Sequence, residues 1–362
     1  MSDTLAFEAN EAGVYEFEPG IYLNLPEDQY HADTSFGSTS IKTMAVDIFE
    51  FQFDRLYGED KDTDALVFGS ALHARMLEGR EAFLSRFCTE FDKSKHPNAL
   101  VTTDDLKQWL DQHGQRGISG KRKDDLIKAA LDVDPDLDIL DVLKARWEKE
   151  NEGKTALKPK RWAQVDVAAR WVQRDPLLSA VMEDGTFIAG APEVSVFYVD
   201  RGVRLKARFD RLLRHAIVDV KSFAPRTPGP IDGPNGSALK AINNMRYDIQ
   251  SADYLRAWKY AKELHQQGLV FGDEPYGGFL AECFARDEPK WIWIMVKSTG
   301  APQPLVIDWV AKFAKARAAE QVEAAIDSYI QLRDAYGDDQ EWPPMRPAMT
   351  ADDTDLPSYF GR

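Results

Sequence analysis

Thiols are nearly absent from this chain: Cys88 and Cys283 are the only two in 362 residues. That leaves no disulfide framework, no zinc cluster and too few thiolates for a four-cysteine iron–sulfur site. A reducing cytoplasm is the expected setting. No apolar run approaches membrane-spanning length. The opening residues, MSDTLAFEANEAG, lack the basic and apolar regions of a signal peptide. Positive charge is also short: 45 Lys and Arg against 60 Asp and Glu give a net charge of -15. This excludes a generally sticky basic DNA-binding surface. A local basic channel with bound metal ions remains compatible with it.

What is present suits a soluble globular protein, with 44% hydrophobic and 29% charged residues and enough length for one large domain or two smaller ones. The informative stretch is VRLKARFDRLLRHAIVDVK, from Val203 to Lys221. Val203, Leu205, Ala207 and Phe209 alternate with Arg204, Lys206, Arg208 and Asp210, the period of a half-buried strand. Ile217, Val218 and Val220 make a second β-branched run, so the stretch predicts a hairpin. Asp219 and Lys221, two apart, leave the same face of a strand, and the hairpin brings Asp210 close to Asp219. Two carboxylates and an ammonium at a sheet edge can hold a hard divalent cation beside an attacking water. The competing reading is a surface hairpin with an ordinary ion pair.

Around this stretch the chain reads as follows. Residues 1–20 predict a loose or edge segment. Ser38, Thr39 or Ser40 caps a helix through Ile41, Met44, Ile48 and Phe51. After a charged loop at 60–64, a second helix runs through Leu66, Phe68, Leu72, Met76 and Leu77. It carries His73, either a packed side chain or a metal ligand. Residues 100–131 predict two helices joined by an extended loop. This resembles SAP-like nucleic-acid-binding motifs, with Lys121, Arg122 and Lys123 where the second helix begins and phosphates could meet them. A small helical insertion with a solvated turn is the alternative. An acidic linker (132–141) and an amphipathic helix ending near Pro176 follow. Strands begin near Thr186, and Glu193 at the start of EVSVFYV is either one more carboxylate of the cluster or a strand-edge charge. The Pro- and Gly-rich SFAPRTPGPIDGPNGSA predicts a loop bordering a substrate channel. A long helix from 238 to 267 places Gln250 and Tyr254 on one face. Two strands, YGGFLAECFA and KWIWIMVKS, a helix from 307 to 336 and an irregular tail complete the chain.

Four segments, FGSALHARMLE, LKARFD, IVDVKS and YDIQSADYL, stand in an order that resembles the RecB-like branch of the PD-(D/E)XK nucleases. Phage and prophage exodeoxyribonuclease VIII (RecE-like) proteins match best, over roughly residues 20–90 and 190–300. The early GIYLNLPEDQYHAD and STSIKTM segments resemble their start. The resemblance implies that His73 helps bind metal, that Asp210 and Asp219 ligate it with Glu193 as an accessory carboxylate, and that Lys221 completes the D-x-K pair. Gln250 and Tyr254 match the Q-x-x-x-Y motif lining the DNA path. Phe209 stands where the family often has Pro, and Ser222 where it often has Thr; neither removes a ligand.

The implied fold is α/β, a PD-(D/E)XK nuclease core whose central mixed sheet, from about 186 to 297, is flanked by helices, with the SAP-like insertion protruding. The expected organisation is an N-terminal helical part (1–99), the insertion (100–135), a helical linker region (136–185), the nuclease core (186–340) and a tail (341–362). The implied activity is a Mg²⁺-dependent exonuclease, with Mn²⁺ able to substitute. It would digest linear duplex DNA from its ends, 5′ to 3′, to leave single-stranded tails for recombination. A single-strand annealing protein and a homo-oligomer are the implied partners, in a bacterial or phage-infected cytoplasm. A structure-selective endonuclease and a non-catalytic DNA-binding accessory protein are the alternatives.

Overall fold

The computed structural model describes residues 16–58, 63–225, 233–344, 352 and 354–355. Seven strands form one mixed sheet: β1 (Gly20–Tyr22), β2 (Ala191–Asp200), β3 (Val203–Leu213), β4 (Ala216–Phe223), β5 (Val270–Phe271), β6 (Lys290–Lys297) and β7 (Pro304–Asp308). Their spatial order is β7-β6-β4-β3-β2-β1-β5, parallel where β6 meets β4 and where β1 meets β5, and antiparallel elsewhere. The sheet therefore reaches beyond the expected 186–297, recruiting β1 from the N-terminal region and β7 after Lys297. Thr186 and Phe187 belong instead to a small separate ribbon with Met182 and Glu183.

Both faces of the sheet are covered. On the first lie helices α1 (Ser38–Val46), α4 (Tyr247–Gln266) and α5 (Lys312–Tyr336), packed on Ile217, Phe223, Trp291, Trp293 and Met295. On the second lie α2 (Asp64–His73) and α3 (Pro159–Val172), packed on Val218, Val220, Ile292, Ile294 and Val296. The odd and even positions of β4 and β6 thus serve opposite layers, as the strand period requires.

Several elements differ from the sequence reading. The segment through Leu77 is not one helix: α2 gives way to a π turn over Ala74–Glu78, which buries Arg75 to 1% exposure against Asp166, Thr186 and the Asp184 carbonyl. FLAECF is a helix, Phe279–Phe284, entered through Gly278 at φ 85. Its buried Phe279, Leu280, Cys283 and Phe284 repeat at helical rather than strand spacing. Residues 238–267 are two helices, Gly233–Asn244 and α4, parted at Arg246 (φ 50). Strand β7 takes the start of the expected last helix. Phe17 near the chain start and Trp342 in the expected tail are buried. The centre of the Pro- and Gly-rich loop, 226–232, lies outside the described residues, as do most of 1–20, 60–64 and 341–362.

The insertion folds as two helices, Thr103–Gln112 and Lys123–Val133, around a small core of Leu106, Leu110, Leu126, Ala130 and Ile139. A capping box between Thr102 and Asp105 starts the first. The acidic stretch after it is less of a linker than expected. Ile139 bridges back to Leu100, and a helix spans Leu140–Glu150. Among the described residues no helix is long and apolar enough to cross a membrane.

Candidate active site

The predicted hairpin forms, but it is not half-buried. Strand β3 is covered on both faces, and even Lys206, Arg208 and Asp210 are buried. The reason is a cover contributed by the N-terminal segment. Lys206 Nζ donates to the carbonyls of Tyr30 and Asp33 at 2.7 Å each, and Arg208 donates to the Leu25 carbonyl and to Ser195 Oγ. Burial pulls the Lys206 ammonium down to about 8, against the charge of Asp33.

Strands β3 and β4 pair only through Arg211–Val218, Leu212–Ile217 and Leu213–Ala216, and then part. At this fork Asp210 Oδ2 accepts from the Val220 N–H at 2.8 Å, a side chain filling in for the lost backbone ladder. The edge of β3 freed beyond the fork is taken by Phe36, which bridges Leu205 through bonds to Arg204 O and from Lys206 N. The chain then turns at Gly37 directly into α1, so the fork fixes where that helix begins. Gly37 offers no side-chain cap, and Ser38, Thr39 and Ser40 line the cleft.

The side-chain phase of β2 and β3 slips at the same place. Ala191 and Val194 both enter the first core layer, as do Leu212 and Phe209, although three positions separate each pair. An odd spacing breaks the two-residue period. Glu193 takes up the slip with φ 46, a left-handed conformation that costs a non-glycine residue roughly 1–2 kcal/mol. The flanking pairs Pro192–Arg211 and Val194–Phe209 set Glu193 opposite Asp210, and Arg211–Val218 sets Asp210 next to Asp219. Three carboxylates therefore stand at neighbouring positions across three strands.

Asp219 is fully buried. Its Oδ1 accepts from Lys221 Nζ at 2.8 Å and from Gln250 Nε2 at 3.3 Å, while its Oδ2 is buried without a hydrogen-bond partner. Burial pushes its carboxyl up to about 6, with Lys221 opposing and Asp210 adding to the rise. For Lys221, burial alone would lower the ammonium, but Asp219 and Asp210 outweigh it and hold the proton more tightly than usual. Glu193 is raised by burial, Arg208 opposing; Arg208 holds its Oε2 at 2.9 Å. His73 comes from the second layer. Its Nε2 lies 3.0 Å from the Val220 carbonyl, to which it donates, and 3.5 Å from Asp210 Oδ2. Tyr254 is buried against Phe209 and faces Gln250 and Ser38; burial, Asp210 and Asp219 all raise its hydroxyl.

The cleft at the fork measures about 540 Å³ and is lined by Glu193, Asp210, Lys221, His73, Gln250 and Tyr254 among others. The structure thus gathers the dispersed candidates His73, Glu193, Asp210, Asp219, Lys221, Gln250 and Tyr254. It does not bring Lys121, Arg122 or Lys123 to the cleft: Lys123 pairs with Asp141 at 2.6 Å, and Lys121 and Arg122 stand exposed on the insertion. As residues of the site, Tyr30, Ser38, Lys206 and Arg208 emerge only from the structure. The alternation of β3 held a signal for the two cations, since it set them on one side with Asp210.

Among the described residues no three His, Cys, Asp or Glu side chains converge as a ready metal-ligand cluster. The donors nonetheless fit a hard divalent cation in kind. Asp210 and Asp219 are oxygen ligands, and the unpartnered Asp219 Oδ2 is a buried acceptor left for one. Glu193 is tied to Arg208, and the His73 Nε2 proton to Val220, so either would join such a set only by exchanging a partner.

The family described as a PDDEXK-like domain of unknown function (DUF3799) matches residues 50–271, a span that contains every site residue from His73 to Tyr254. No curated protein matches the chain. A solved structure from Eubacterium rectale, provisionally named an exonuclease, is similar at 15% identity with a TM-score of 0.45, covering 86% of this chain and 88% of that one. The family match extends over more than half of the sequence, and the chain belongs to the PDDEXK-like domain family.

Proposed function

We propose that this protein is a RecE-like, metal-dependent DNA exonuclease. It digests linear duplex DNA from its ends, 5′ to 3′, and leaves single-stranded tails for recombination. The observation that carries the reading is the fork itself: Asp210 and Asp219 adjoin there, with Lys221 and Gln250 both bonded to Asp219 Oδ1. Family membership supports hydrolysis of a phosphodiester; the end-dependent mode and the polarity rest on the sequence resemblance. A single-strand annealing protein, a homo-oligomer and a cytoplasmic setting in a bacterial or phage-infected cell belong to the same proposal.

Asp210 and Asp219 would hold Mg²⁺, or Mn²⁺ in its place, with His73 and Glu193 as further donors. Such a cation would neutralise the phosphate and make a coordinated water more acidic. The chain's own residues supply the rest. Lys221, kept protonated by the two carboxylates, stabilises the charge that grows on the phosphoryl oxygens and orients the attacking water. Gln250 holds Asp219, and the Tyr254 hydroxyl faces Gln250 in turn, so the carboxylate's position is supported from behind the cleft. The cleft, where Lys206, Arg208 and Lys221 stand among the carboxylates, is the place where the scissile phosphate is received.

The test is digestion of linear duplex DNA with Mg²⁺ by wild type, Asp219→Ala and Lys221→Ala, beside a closed circular control. Wild type is expected to consume linear DNA and spare circles. Each variant is expected to lose at least about 10²-fold in rate while still binding DNA. Cutting of circles would replace the exonuclease with an endonuclease. No cutting with either metal would leave a DNA-binding accessory role, with Lys121, Arg122 and Lys123 of the insertion as its contacts.

A further inference from the structure

Lys42 has no place in the site described so far, yet it is a half-buried cation beside it. It lies one turn into α1, on the same face as Ser38, since the two are four residues apart. That face looks onto α4, where Tyr247 and Tyr254 are seven residues apart and likewise share a side. Ser38 meets Tyr254, and Lys42 meets Tyr247: its ammonium lies 5.5 Å from the Tyr247 ring centroid. Lys221 Nζ lies 5.7 Å from the same centroid. Two ammonium groups thus crowd one aromatic ring at the edge of the fork. Among the described residues Lys42 makes no ion pair and no hydrogen bond, whereas Lys221 is held by Asp219. Burial and the charge of Lys221 both disfavour a proton on Lys42, with only Asp219 opposing.

An unpaired ammonium beside a second one, with a single carboxylate between them, is electrostatically costly in the free protein. The cost is repaid when an anion of distributed charge enters. We propose that Lys42 binds a non-reacting phosphate of the substrate strand, next to the phosphate that Lys221 serves. The inference rests on the nuclease reading of the fork and adds to it a second phosphate contact and a path. The strand leaves the scissile position along the Tyr247 side, between α1 and the start of α4. The alternative is a purely structural lysine, its stem packed on apolar neighbours and its head resting on an aromatic ring.

The experiment measures duplex DNA binding without divalent metal over a range of salt concentrations for wild type, Lys42→Met and Lys42→Arg. Methionine keeps the packing of the stem and removes the charge. One lost phosphate contact makes the log–log salt dependence shallower by about 0.9. Lys42→Met is expected to show that change and a lower affinity at low salt, at an unchanged Tm. Lys42→Arg is expected to restore both. If Lys42→Met binds with the affinity and slope of wild type, the inference is overturned while the nuclease reading stands. If wild type neither binds nor cuts DNA, both fall together. Should Lys42→Met lose affinity with an unchanged slope, the lysine is structural and the phosphate contact is rejected.

Discussion

Asp253 shows how much a single buried charge can matter away from the cleft. It is 1% exposed, and neither carboxylate oxygen has a hydrogen bond of ordinary geometry; the Tyr198 hydroxyl is the polar group that faces it. Burial pushes its carboxyl up to about 7. In the unfolded chain the group titrates near ~3.9. Below that value both states carry the proton and folding loses nothing. As pH rises from that value to the folded one, the unfolded chain ionises freely while the native state keeps its proton, so stability falls; above the folded value the native state bears a buried charge and the loss is complete. Asp253→Asn is expected to raise the Tm at pH 8 and leave it unchanged near pH 4. Equal Tm differences at both pH values would rule this out. The same residue-level physics marks Glu193, whose left-handed backbone lies at the slip that lines up three carboxylates. Strain of this kind is tolerated where the surroundings over-determine it, here by Arg208 and the pairs on either side.

The insertion has the most independent packing of the individual elements. Its five fully buried residues touch one another rather than the sheet layers. A core so small has little to spare. Leu110→Ala is expected to cost about 2–5 kcal/mol locally. Hydrogen exchange should then show lost protection across 103–133, with strands β3, β4 and β6 unaffected. Loss of protection in the sheet as well would mean that the two cores unfold as one. The pair β3 and β4 illustrates the opposite dependence. Its three registered positions could not hold two strands alone; Asp210 below and Phe36 beside them complete the ladder. The element that parts the strands is thereby the element that positions the chemistry.

At the scale of the whole molecule, the fork is where the two packed layers come closest to sharing a site. His73 arrives from the second layer, and Gln250 and Tyr254 from the first. A divalent cation binding there would stabilise the entire fold by mass action, because the unfolded chain has no such site. At a free concentration 100 times its dissociation constant the gain is about 2.7 kcal/mol. Mg²⁺ or Mn²⁺ is expected to raise the wild-type Tm, and Asp219→Ala is expected to abolish the shift. A wild-type Tm indifferent to both metals would count against the fork as a metal site.

Local patterning along the chain suffices for the α/β class, the hairpin, and the candidates it can pair: Asp219 with Lys221 at strand spacing, and Gln250 with Tyr254 at helix spacing. Those follow from periods of two and of about four, which any short window contains. It also settled the segregation of Trp291, Trp293 and Met295 from Ile292, Ile294 and Val296, since alternation alone decides it. In FLAECF a run of apolar residues fits both a strand and a buried helix, and packing selects the helix. The rest depends on packing between distant segments. It took the hairpin from half-buried to buried by laying residues 17–36 over its charged side, and it broke the long helix at Arg246, which brings Tyr247 to Lys221. The phase slip at Glu193 and Asp210 and the meeting of Lys42 with Tyr247 depend on contacts between segments far apart in the chain. No local pattern encodes such contacts; the closing of two layers on a forked sheet does.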